Sequence, residues 1–96
     1  MYQKVLLVFR EKIRLREYVM TLHALEEMDD DGFSIFDVER AILTGSIIEK
    51  QKDHVTGECK YLVKGQSTNG KFMIIVGKIG ATDKLVIITV FCEGKE

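Results

Sequence analysis

Ninety-six residues, 46% hydrophobic and 30% charged, describe a folded chain with one modest core rather than a disordered segment. No apolar run reaches the about 20 residues that cross a bilayer, and the opening MYQKVLLVF is too short for a secretory signal, so a cytoplasmic location is expected. The net charge of −1 conceals an asymmetry, with six basic and ten acidic side chains in residues 1–49 (net −4) against eight lysines and five acids in residues 50–96 (net +3).

With no proline, repeat or low-complexity stretch, a single domain over residues 1–96 is expected. Residues 4–16 place Val5, Leu6, Phe9 and Ile13 at helical spacing, with Arg10, Lys12, Arg14 and Arg16 on a solvated side. The β-branched and aromatic YVMT breaks that period. Thr21 is then a plausible N-cap for a short helix ending near Gly32, with Leu22, Leu25 and Met28 as its core stripe. Ser34 opens a third helix, with a carboxylate three residues on as in a capping box, and Gly45 ends it in a C-terminal cap role.

After Gly45 the period changes. Four β-rich runs, near 46–51, 58–65, 72–79 and 85–92, are separated by DHVTG, QSTNG and GATD, and Asn69-Gly70 is the strongest turn signal. Connectors this short permit antiparallel pairing alone. The expected fold is α+β: N-terminal helices packed on one face of a four-stranded antiparallel meander. The apolar character of the last two strands suggests that both are central and covered.

Within the second helix, His23, Glu26, Glu27 and Asp30 fall at i, i+3, i+4 and i+7. A carboxylate beside a histidine holds one tautomer and suits the ring to acid–base work near neutrality. The same spacing also describes an ordinary surface helix pair. On the sheet, Lys60, Leu62 and Lys64 share one face, and Lys78 ends the third of these strands. Lysines so placed can offset phosphate charge, or can simply be solvated edge residues. His54 lies in a polar turn and reads as surface decoration. Cys59 and Cys92 have neither CxxC spacing nor a paired histidine motif, and read as small packed hydrophobes rather than metal ligands. No P-loop, dinucleotide turn, HExxH or nucleophile elbow occurs, so nucleotide hydrolysis and hydride chemistry have no support.

The ordered set HALEEM, GFSIFDVERAILTGSIIE, KYLVKG, KFMIIVGKI and KLVIITVF, over about residues 17–92, resembles a bacterial family called domain of unknown function 4258. Its hallmarks are a His-Ala-x-Glu-Arg-Met stretch, a Gly-[Ile/Phe]-Ser-x-x-Asp-Val helix start and a final Val-Ile-Thr-Val-Tyr. The family's pattern is similar to RelE-like and MqsR-like ribonuclease toxins. The resemblance implies a cofactor-free, metal-independent endoribonuclease acting on mRNA, restrained by an antitoxin-like small zinc-finger protein. It assigns acid–base roles to His23 and Glu26. Two positions depart from the motif: Glu27 stands where the family has arginine, and Phe91 where it has tyrosine. Arg40 or the lysines Lys60, Lys64 and Lys78 would then have to supply the phosphate-binding charge. A non-catalytic protein-binding module with the same fold is the competing reading, favoured by the acidic run EEMDDD. Edge-strand pairing also leaves a homodimer open.

Overall fold

The structure, a computed structural model, describes residues 2–93. Helix α1 (Gln3–Arg14) buries Leu6, Phe9 and Ile13. It stops in a Schellman-type turn: Arg16 takes φ 59°, its N–H bonds Ile13 O, and the Glu17 N–H bonds Lys12 O. Helix α2 (Leu22–Asp31) starts at Thr21, whose hydroxyl accepts from the Ala24 N–H, and ends at Gly32 with φ 73°. Helix α3 (Ile35–Thr44) begins with a complete capping box between Ser34 and Asp37. These starts match the cap residues visible in the sequence.

The sheet corrects the expected strand count. It has five strands in the order β1-β5-β4-β3-β2, and β1 (Tyr18–Met20) pairs in parallel with β5 (Leu85–Cys92). The YVM segment reads as a mere break in helical period because three residues are too few to show an alternation. The path through α2, α3 and the hairpins brings it alongside β5. The other strands form the expected antiparallel meander: β2 (Ser46–Lys52), β3 (Cys59–Gln66), β4 (Phe72–Ile79) and β5.

Helices lie on one face. Phe9, Ile13, Ala24, Met28, Val38, Ala41 and Ile42 share one core with Val63, Met73, Ile75, Leu85, Ile87 and Val90. A bulge between Val76 and Gly77 leaves Ile88 without a partner in the register, which lets Ile87 and Val90 both point to the core. The expectation that the last two strands are covered holds for this face alone. Among the described residues no helix joins the core from the face bearing Leu62, Ile74, Val76 and Phe91, where neighbouring side chains still leave Ile74 only 5% exposed.

Close approach explains two glycines. A Cβ on Gly65 would lie 2.7 Å from Ala41 Cα, so α3 rests directly on β3. Gly45 does not take the left-handed cap conformation expected of it: its φ is −88°. Glycine is needed there because a Cβ would meet Lys64 O at 2.3 Å.

Arg10 is a second correction. It is not on a solvated side but half-buried, donating through Nε to Ile42 O at 3.2 Å and through its terminal nitrogen to Gly45 O at 2.9 Å. A cation here satisfies carbonyls left over at the α3 C-terminus.

Both cysteines are free thiols and half-buried. Cys92 packs against the core, and Cys59 lines an apolar groove of about 290 Å³ with Val5, Val8, Tyr61 and Ile79. Cys92→Ala should cost about 1 kcal/mol in chemical denaturation, as small core truncations do, and leave bound zinc unchanged. Stoichiometric zinc that disappears with the substitution would contradict a packing role.

Candidate functional site

Helix α2 presents a different face to the sheet from the one expected. Ala24 and Met28 are buried, whereas Leu22 and Leu25 are 72% and 48% exposed. The cause lies at the edge of β5. Strand β1 covers that edge only as far as Ile87. Beyond it, the Thr21 hydroxyl donates to Ile88 O (2.8 Å), Glu27 accepts from the Val90 N–H (3.1 Å), and Asp31 accepts from the Cys92 N–H (3.2 Å). Glu27 and Asp31, one helical turn apart, thus satisfy strand amides that a neighbouring strand would otherwise bind. Turning that side toward β5 brings Ala24 and Met28 inward and swings Leu22 away. An arginine at position 27, as in the family motif, has no acceptor for the Val90 N–H.

His23 neither packs in the core nor pairs with Glu26. Its side chain is 67% exposed, and its Nε2 lies 3.2 Å from Glu27 Oε1. Glu26, Asp29 and Asp30 are exposed on the same helix. The pair His23–Glu27 has the elements of a proton-transfer site: an accessible ring and a carboxylate fixed by a backbone amide.

The cations lie elsewhere. Lys60 and Lys64 are on the uncovered sheet face, as the alternation required. Lys78 is engaged with Glu58 at 2.9 Å. Arg40, on the exposed side of α3, joins Lys64 in one open cleft of about 410 Å³, completed by Thr44, Gly45, Ser46, Gly65, Gln66 and Phe72. The Lys64 ammonium stands 5.1 Å over the Phe72 ring and 2.9 Å from Glu93 Oε2. Neither His23 nor Glu26 lines this cleft. Strands β4 and β3 lie beyond β5, so about 10 Å separates β5 from the strand of Lys64. The structure therefore joins Arg40 with Lys64, leaves Lys60 and Lys78 outside the cleft, and sets the His23 pair at the opposite margin of the sheet.

The sequence reading passed over Phe72, which lines the cleft, and Glu93, which pairs with the cleft residue Lys64. Alternation in KFMIIV did place Phe72 opposite Met73, on the Lys64 face, once the hairpin register set Gln66 beside Phe72. Nothing local marked Glu93. Among the described residues no three His, Cys, Asp or Glu side chains converge as metal ligands, and no helix is long and apolar enough to cross a membrane.

A family model described as domain of unknown function (DUF4258) matches residues 20–92. No curated protein and no solved structure matches the chain.

Proposed function

The chain belongs to the domain of unknown function family DUF4258, and from that premise we propose that it binds RNA across the uncovered sheet face and cleaves it as a toxin-like, metal-independent endoribonuclease with a RelE-like fold. The observation that carries the reading is the cleft in which Arg40, Lys64 and Phe72 converge. Two cations beside a half-exposed aromatic ring suit a phosphate and an unstacked base.

In the proposed reaction His23, oriented by Glu27, removes the ribose 2′-OH proton. The 2′ oxygen forms a bond to the adjacent phosphorus, the bond to the 5′ oxygen breaks, and a proton from solvent or returned by His23 neutralises the leaving oxygen. The products are a 2′,3′-cyclic phosphate and a 5′-hydroxyl. Glu26, expected in this role from the motif, gives way to Glu27 because the latter is within reach of the ring. To reach His23, which is carried by α2, a bound strand would have to run from the cleft across β4 and β5 and around the β5 edge.

A second reading, a non-catalytic module for a protein partner such as a small zinc-finger antitoxin, is favoured by one observation. Glu26, Asp29 and Asp30 are exposed on the same helix as His23, a negative charge that opposes a phosphate.

Incubation of the protein with RNA in EDTA separates the two readings. Cyclic-phosphate ends are expected. Arg40→Ala and Lys64→Ala should each weaken RNA binding several-fold and reduce the salt slope by about 1. RNA that is neither bound nor cut, with growth unaffected by expression, would leave the binding-module reading standing.

A further inference from the structure

Lys64 is already occupied. The Glu93 carboxylate sits 2.9 Å from its ammonium, and the Glu93 N–H donates to Phe72 O at 3.1 Å. The end of β5 thus holds Glu93 at the rim of the cleft, on the same sheet face as Lys64 and Phe72. With side chains 37% and 42% exposed, the pair is one that a competing anion can displace.

We infer that Glu93 is a built-in competitor for the cleft: its carboxylate occupies Lys64 and is displaced by a phosphate of the ligand. The inference rests on the reading of the cleft as an RNA-phosphate site. It makes Glu93 the residue that sets affinity and salt response there, with Arg40, which has no ion pair among the described residues, as the cation open to first contact. A phosphate arriving beside Arg40 would take over the Lys64 ammonium and release the carboxylate to water. The Lys64–Phe72 stacking need not be broken, since the ring approaches the ammonium independently of Glu93.

A single-stranded 2′-O-methyl oligonucleotide, which has no free 2′-OH to react, serves as the probe in anisotropy titrations. Glu93→Gln should bind it about two- to fivefold tighter than wild type, the range that exposed ion pairs sustain. In a Lys64→Gln background the same substitution should have no effect. Glu58→Gln, which frees Lys78 instead, should leave binding unchanged and so controls for net charge. Equal tightening by Glu58→Gln and Glu93→Gln, or a Glu93→Gln effect that persists without Lys64, overturns the inference. If wild type binds and Arg40→Ala weakens it while Glu93→Gln does nothing, the competitor is refuted and the RNA reading stands. If no variant binds the probe, both fail.

Discussion

Asp37→Ala should lower stability by roughly 2 kcal/mol, about 1 from the lost helix cap and about 1 from the lost hydrogen bonds of Thr68. Asp37 is 7% exposed and works in two directions. One oxygen accepts from the Ser34 N–H (2.8 Å) and hydroxyl (3.2 Å) at the start of α3. The other accepts from the Thr68 N–H (2.8 Å) and hydroxyl (2.7 Å) in the β3–β4 turn. Removing the carboxylate uncouples the helix from the hairpin that carries the uncovered face. For a domain of this size the melting temperature should fall by about 8–16 °C.

The same residue gives a signature in acid. Desolvation pushes the Asp37 carboxyl upward, but the hydrogen bonds from Ser34 and Thr68 outweigh it and hold the pKa at about 2, below the ordinary 3.8. The folded value is the lower one, so the stabilisation is fully present above pH about 4 and is lost as pH falls through about 2. The difference corresponds to about 2 kcal/mol. Asp37→Asn removes this titration, so its stability should change less than that of wild type over the same window. Urea midpoints measured at pH 2, 3, 4 and 6 check this. An Asp37→Asn profile parallel to wild type would show that the carboxylate's charge contributes nothing.

His23→Ala should reduce RNA cleavage by about 10²–10⁴-fold, the usual loss when a general acid or base is removed. It should do so with the melting temperature almost unchanged, because an exposed helical pair is worth a few tenths of a kcal/mol. The carboxylates discriminate further. Glu26→Ala should be silent, since Glu26 is exposed and three residues from the ring without contacting it. Glu27→Ala should cost both activity and about 1 kcal/mol of stability, because the Val90 N–H loses its acceptor. Glu27→Gln keeps an oxygen for Val90 while removing the charge beside His23, and should recover stability without recovering rate. Single-turnover cleavage combined with thermal melts gives both readouts. Full cleavage by His23→Ala would remove the imidazole from the mechanism.

Much of the architecture was legible because its signals are local. Thr21, Ser34 and Asp37 announce helix starts through side chains that bond backbone two or three residues away, and Gly32 ends α2 through its own φ. The turns and the four meander strands follow from period and hairpin chemistry, and the family from an ordered set of such segments. Other features depended on which segments meet. Three residues, Tyr18–Met20, carry no period, and only the returning chain makes them a strand beside β5. The two leucines of α2 were misplaced because helical spacing names an apolar face without saying that Glu27 and Asp31 must turn toward unpaired strand amides. Arg10 looked solvated until α3 brought its final carbonyls within reach. The cleft joins α3, β3 and the start of β4, and Glu93 reaches it from the end of β5, so no spacing along the chain encodes it. Periodicity fixes what each segment buries. Which carboxylate meets His23 and which cations share a cleft are settled only when side chains distant in sequence satisfy one another's charges and hydrogen bonds.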